Sequence, residues 1–247
     1  MKSIRLDALL ASRNFGSRKE ALLLIKTGAV LVNGARAVQG GQKIDPDLDR
    51  VTVNGAQVSM REFIYIMLYK PAGTVSAARD PNAAAVPDLL PAHIRRRGLF
   101  PAGRLDKDTT GLLLVTNDGA LAHALLSPKR HVEKVYLAAL REPVRPEDIT
   151  AFAAGLVLPA EDGRASAPCM PAGLEILPGN RARVTLREGK YHQVKRMFRA
   201  VGNEVLALHR ERFGPLQLDM SLRPGECREL TAEELKKLEA FRRPAPL

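Results

Sequence analysis

Tryptophan is absent from this chain of 247 residues, and aromatic residues make up only 4% of it. A broad platform of stacked rings for reading exposed bases is therefore excluded, although one or two well-placed rings could serve. Cysteine occurs twice, at Cys169 and Cys227, which is too few for a disulfide framework or a cysteine-rich metal site. Two packed thiols in a reducing cytosol are the expectation. The five histidines (His93, His123, His131, His192 and His209) lack zinc-type spacing, so no metal is expected. No run of about 18 apolar residues occurs, which argues against a membrane-spanning helix. The first 20 residues are interrupted by charges and do not read as a secretory signal, so a cytoplasmic location is expected. Phosphate-cradling patterns of the Walker or G-x-G-x-x-G type are missing, as is the G-x-S-x-G elbow of serine hydrolases. No nucleotide or redox cofactor is expected.

What the chain has in excess is positive charge. Its formal net charge is +11 and its pI is about 10.0. A long polyanion is the natural partner of such a surface. An anionic membrane is the competing explanation, but no segment reads as a basic amphipathic anchor.

The patterning separates a small N-terminal unit, residues 1–60, from a larger body, residues 61–247, with Ser59 to Glu62 as a linker. In the small unit RLDALLASRN is amphipathic at helical spacing. Ser17 and Glu20 form a capping-box pattern for a second helix ending at Gly28. AVLVNG and RVTVNG read as short strands closed by Asn-Gly turns. Arg18, Lys19 and Lys26 give the second helix a basic face suited to phosphates. In the larger body, strands are read at FIYIMLYK, GLLLVT, VEKVYLAAL, LEILP, ARVTLRE and VLALHRERF. Helices are read at ALAHALLS, PEDITAFAAGL, YHQVKRMFRAVG and TAEELKKLEAFRR. Arg95 to Arg97 form a basic run in a loop-rich stretch. The elements interleave without regular alternation, which points to an α+β body built on a mixed, largely antiparallel sheet with packed helices.

Three segments bear on chemistry: GRLD (Gly103 to Asp106) before GLLLVT, EKVYLAAL with Tyr136, and VTLREGKYHQVKRMF (Val184 to Phe198). They offer a carboxylate, a phenol and cations at the ends of different elements. A free Asp has a pKa of about 3.9, so Asp106 would be ionised at neutral pH, and a nearby Lys195 or Arg196 would hold its rotamer. Such a carboxylate serves as nucleophile or base. An ordinary structural salt bridge fits the same residues equally well.

GRLDKDTTGLLLVTNDG resembles the signature of RNA pseudouridine synthases, in the branch typified by ribosomal small-subunit pseudouridine synthase A. LYKPAG resembles the family's early Lys-Pro motif, EKVY its tyrosine motif and LREGKYHQVKRMF its C-terminal motif. Residues 5 to about 50 resemble the alpha-L RNA-binding module of a small-subunit ribosomal protein and several RNA-modifying enzymes. The resemblance implies Asp106 as the essential aspartate, Tyr136 against the target base and Lys195 as the basic partner of the aspartate. It also implies Arg104 beside the flipped nucleotide and Leu186 as an apolar support. His192, Gln193 and Arg196 are expected to donate to RNA, with HRER around Arg210 extending the track. Asp108 is read as a loop residue or cap. The implied reaction turns uridine into pseudouridine without gain or loss of atoms and without a cofactor.

The Tyr-His-Gln-Val-Lys-Arg form of the last motif points to 16S rRNA, uridine 516, either free or within a small-subunit assembly intermediate, and to a monomeric enzyme. Three alternatives remain open at this stage. They are action on 23S rRNA, a non-catalytic RNA-binding assembly factor, and a glycosidase that releases uracil.

Overall fold

The computed structural model describes residues 3–13, 15–58, 60, 63–91, 94 and 98–242. Ser59, Arg61 and Glu62 of the expected linker, His93 and the basic run Arg95 to Arg97 lie outside the described residues. The chain divides into two compact units. One comprises Met1–Ile64 with Pro91–Leu99, and the other Tyr65–Leu90 with Phe100–Leu247.

The first unit runs β1 (Ile4–Arg5), α1 (Leu6–Ser12), α2 (Arg18–Lys26), β2 (Val30–Val32), β3 (Ala35–Arg36), β4 (Lys43–Ile44), β5 (Val51–Val53) and β6 (Ala56–Gln57). Ser17 caps α2 through a reciprocal capping box with Glu20, as its spacing predicts. Asn33-Gly34 and Asn54-Gly55 all adopt positive φ, the conformation that two-residue hairpin turns require. These turns fold β2, β3, β5 and β6 into a four-stranded antiparallel sheet in the order β3-β2-β5-β6. Leu6, Leu9 and Leu10 of α1 and Ala21 and Ile25 of α2 close its core against Val30, Val51 and Val53. Arg18, Lys19 and Lys26 remain exposed on α2.

The second unit contains β7 (Tyr65–Lys70), β8 (Phe100–Pro101), β9 (Thr110–Thr116), α3 (Gly119–Leu126), β10 (Lys134–Leu140), α4 (Pro146–Ala154), β11 (Val157–Leu158) and β12 (Ala167–Pro168). It continues with β13 (Gly173–Leu177), β14 (Arg181–Leu186), α5 (Gln193–Ala200), β15 (Val205–Phe213), β16 (Leu216–Gln217), β17 (Cys227–Glu229) and α6 (Ala232–Glu239). Nine of its strands form one sheet with the path β13-β14-β10-β15-β9-β7-β17, and β8 and β16 pair alongside. The apolar run of β9 is buried from Gly111 to Thr116, because strands flank it on both sides and α3 covers it through Leu121, Ala122 and Leu125. Phe152 of α4 stacks on Phe198 of α5 with ring centroids 5.1 Å apart, and both rings are fully buried.

The pairing of β9 with β15 is parallel, whereas the other paired strands of this sheet are antiparallel. At this seam Gly111 faces Arg210 and has φ of +107°. A Cβ on Gly111 would lie 2.4 Å from the Arg210 carbonyl oxygen and 2.6 Å from its nitrogen. Only glycine tolerates both the backbone angle and that approach. Gly111→Ala is therefore expected to cost about 3 kcal/mol or more through strain and overpacking. A urea unfolding midpoint equal to that of the wild type would show the seam to be looser than described.

Candidate active site

The loop from Gly103 to Thr109 links β8 to β9 and carries Asp106. Its backbone is held by a lysine from another strand. Lys70, at the end of β7, is fully buried. Its Nζ donates to the carbonyls of Pro71 (3.0 Å), Asp106 (3.1 Å), Lys107 (3.3 Å) and Thr109 (2.9 Å). Four acceptors thus converge on a group with three protons. Ser76 Oγ donates to the Leu105 carbonyl at 2.8 Å and accepts from the Leu105 N–H at 3.0 Å. The Gly73 N–H donates to the Lys107 carbonyl at 2.7 Å. Burial pushes the Lys70 ammonium down to about 8, against the opposing pull of the Asp106 and Asp108 charges.

The Asp106 carboxylate emerges from this clamp with 29% of its side chain accessible. Lys195 Nζ on α5 lies 3.5 Å from Oδ2, and His192 Nε2 lies 3.6 Å from Oδ1. Lys195 binds Asp108 more closely, at 2.7 and 2.9 Å to its two oxygens. Burial pushes the Asp108 carboxyl up, but the hydrogen bond and charge of Lys195 outweigh that and hold it below its ordinary value. Asp108 is thus a second acidic partner of the lysine, a role missed in the sequence because nothing in the loop marks which carboxylate faces α5. His192 adopts φ of +46°, and its ring stacks on Tyr191 with centroids 3.8 Å apart. The left-handed turn at His192 starts α5 at Gln193, two residues later than the YHQVKRMF pattern predicts. It also leaves His192 Nδ1 3.4 Å from Glu161.

Tyr136 on β10 sits opposite Val184 of β14 and Arg210 of β15, and its hydroxyl has no hydrogen-bond partner among the described residues. Asp106, Tyr136, Leu186 and His192 line one cavity of about 640 Å³. Arg104 lines it too, exposed and without a hydrogen bond or ion pair to a described residue. The cavity is large enough for an extruded nucleoside.

Three expectations meet a different geometry. Arg196 is buried, with Nε on the Pro159 carbonyl (2.9 Å) and its terminal nitrogens on the carbonyls of Tyr191 and Ala165 (3.3 Å each). It pins the loop before α5 and is not placed to donate to RNA, because its donors are spent on backbone. Gln193 lines the cavity, but its side chain is buried and committed to the Lys190 N–H (2.8 Å) and Glu188 (2.7 Å). Arg210 lies beneath the cavity, 2% exposed, and so does not continue a surface track. Its strand neighbours Gly111 and Tyr136 draw it inward.

Among the described residues, Glu161, Asp162 and His192 bring potential ligand atoms within 4.8 Å of one another. Glu161 also pairs with Arg199 at 3.1 Å, and the Tyr191 hydroxyl donates to Asp162 at 2.8 Å, so these carboxylates already have protein partners. No helix among the described residues is long and apolar enough to cross a membrane.

The family profile described as RNA pseudouridylate synthase matches residues 64–200, which include the Asp106 loop, Tyr136 and Lys195. The chain belongs to the RNA pseudouridine synthases. An S4 domain profile matches residues 4–49. The synthase is 48% identical to the uncharacterized RNA pseudouridine synthase YtzG of Bacillus subtilis, over 95% of this chain and 98% of that protein. It is 41% identical to ribosomal small subunit pseudouridine synthase A of Escherichia coli, over 94% of this chain and 98% of the relative. A crystal structure of a pseudouridylate synthase superposes with a TM-score of 0.65 at 39% identity, covering 96% of this chain and all of that one. The α+β body with its largely antiparallel sheet and the S4 module at the N-terminus agree with the fold expected from the residues.

The Lys70 clamp makes a pH-dependent prediction. Above about pH 8 Lys70 loses its charge and one of its three protons, so the four carbonyls lose the cation among them and share two donors. Turnover should fall as pH rises through that value. Stability should move the other way, because the unfolded lysine titrates near 10.4 and binds more protons than the folded one between these values. The expected result at pH 9 is slower turnover without a lower Tm. Activity and Tm falling together would sink this account.

Proposed function

We propose that this synthase converts a uridine of 16S rRNA to pseudouridine, with uridine 516 as the candidate and Asp106 as the working carboxylate. The observation that carries the reading is the convergence of Asp106, Tyr136, Leu186 and His192 on one cavity, with Lys195 of α5 3.5 Å from Asp106. The 16S target is supported by relatives named ribosomal small subunit pseudouridine synthase A, which match at 39–42% identity over nearly the whole chain.

The target base is stacked or paired in folded RNA, and flipping it costs a few kcal/mol. Phosphate contacts offset this cost, and exposed Arg18, Lys19 and Lys26 of the S4 module supply candidates. We assign residues 1–60 to this RNA-capturing module and 61–247 to the catalytic domain. Arg104, with no hydrogen bond or ion pair to a described residue, occupies the vacated position or steadies the nucleotide at the cavity mouth. Leu186 and Tyr136 then hold the uracil between an apolar surface and a phenol. Lys195 and His192, 3.5 and 3.6 Å away, keep Asp106 aimed into the cavity. Asp106 either attacks ribose C1′ or removes the proton at C2′. In both routes the bond from C1′ to N1 breaks and the uracil turns; C5 then bonds to C1′ as the Asp106 carboxylate leaves C1′, or as Asp106 returns its proton to C2′, and the proton from C5 is lost while N1 gains one. The Tyr136 hydroxyl is placed to move a proton at C5. Every group named comes from one chain, so the reading needs no second copy.

The test is pseudouridine mapping on unmodified 16S rRNA and on small-subunit assembly intermediates. The wild type should form pseudouridine at one position. Asp106→Asn should lower the rate on the order of 1,000-fold or more while RNA affinity changes less than threefold. Modification of 23S rRNA alone would move the target, free uracil would indicate a glycosidase, and an active Asp106→Asn would remove the carboxylate from the mechanism. Deleting the S4 module should raise KM on full-length rRNA far more than it lowers kcat. An unchanged KM would show that the module does not capture substrate.

A further inference from the structure

Two buried cations stand in the cavity wall without the protein acceptors that cations need. Lys134, on β10 two residues before Tyr136, is 9% exposed. Its Nζ makes one hydrogen bond, to the Val132 carbonyl at 2.9 Å, and lies 5.8 Å from the centre of the Phe213 ring. Arg210, 2% exposed, places Nε on the Leu112 carbonyl at 2.8 Å, and its guanidinium carbon lies 5.1 Å from the same ring. Arg210 Nη2 is buried and has no hydrogen-bond partner among the described residues. Among the described residues no carboxylate forms an ion pair with either cation. Glu188, which exerts the nearest opposing charge on Lys134, already accepts from the Met170 N–H (2.8 Å) and from Gln193 (2.7 Å).

The comparison with Lys70 shows what is unusual. Lys70 is equally dry, but four carbonyls satisfy it and it faces the rear of the loop. Lys134 lines the cavity with one acceptor and with a second cation close enough to disfavour its charge. An unsatisfied buried donor carries a large desolvation penalty, and an unpaired buried charge carries a larger one. A fold that retains two such groups side by side, both lining the substrate cavity, is arranged to receive negative charge there. The wall between them carries Tyr136, against which the base is proposed to lie.

The proposed reaction creates such a charge. When the bond from C1′ to N1 breaks, its electron pair leaves with the base. This holds whether Asp106 forms a bond to C1′ or takes the C2′ proton to leave a C1′–C2′ double bond. The detached uracil is then an anion whose charge is shared with O2 and O4. We infer that Lys134 and Arg210 form a cationic floor that takes up the negative charge of the detached uracil, with Lys134 as a further catalytic residue at a pyrimidine carbonyl. The charge is transient: it is consumed when C5 bonds to C1′, as the Asp106 carboxylate leaves C1′ or returns the proton to C2′, and after C5 loses its proton and N1 gains one the base is neutral again. The floor therefore favours the separated base over the bound nucleoside, which is the condition for raising rate and not merely affinity. The inference rests on the reaction proposed at Asp106.

The experiment compares wild type, Lys134→Met and Lys134→Arg in single-turnover reactions on a 16S rRNA transcript. The target position carries either uridine or 5-fluorouridine, and the readout is loss of the N-linked nucleoside by nuclease digestion and mass spectrometry. Fluorine acidifies the ring and makes it a better leaving group that needs less help. On uridine, Lys134→Met should react about 100-fold slower than wild type with RNA Kd within threefold, and Lys134→Arg should recover most of the rate. On 5-fluorouridine the Lys134→Met defect should shrink at least tenfold. Equal defects on both substrates would reduce Lys134 to a structural role and overturn the inference. So would a weakened Kd with an unchanged rate, which would mark a phosphate contact, or failure of arginine to rescue. A wild type that forms no pseudouridine overturns the reaction at Asp106 itself, which separates that failure from failure of the floor.

Discussion

The site depends on one buried ammonium group. Lys70 gathers four carbonyls from two segments of chain, and three of them belong to the loop that presents Asp106. Carbonyl dipoles crowded in this way repel one another unless a cation sits among them, and burying that cation is costly unless dipoles surround it. Each side of the arrangement cancels the penalty of the other. The result is a loop that is irregular in conformation yet fixed at its backbone, with the Asp106 carboxylate left accessible. Catalytic positioning at the level of an ångström requires this kind of support.

Around that fixed point the charged groups divide into two classes. Those with complete sets of partners shape the site: Lys70, Arg196 with three carbonyls, and Gln193 between Lys190 and Glu188. Those whose sets are incomplete among the described residues line the cavity: Arg104, Tyr136, Lys134 and Arg210. Asp106 and Lys195 lie between the classes. Lys195 is shared with Asp108, so Asp106 is oriented at 3.5 Å without a short hydrogen bond that would occupy it. A carboxylate held this way is oriented and stays available.

Much of this was legible in the residues. The buried run GLLLVT, the capping box at Ser17 and the Asn-Gly turns each have a local physical cause, and each formed as read. The grouping of Asp106, Tyr136, Leu186 and Lys195 was reachable through family motifs, because it depends on strand order that no local pattern encodes. What local pattern could not supply was the inward or outward sense of long cations. Arg196 and Arg210 look like surface RNA contacts in HQVKRM and HRER. Both point inward because α5 begins after a left-handed turn at His192 and because β15 pairs in parallel with β9 at Gly111. Lys70 was visible only as part of a Lys-Pro motif, and three of its four partners lie 36 to 39 positions away.

The parallel seam between Gly111 and Arg210 bears on how the molecule comes into being. Strands nearly a hundred positions apart meet there, and a pairing so distant along the chain is slow to close. The S4 module leaves the ribosome first and closes its own small core without help from the rest of the chain. The reaction centre exists only after β15 has been synthesised and docked. During translation the small N-terminal core can therefore close long before the cavity around Asp106 is complete.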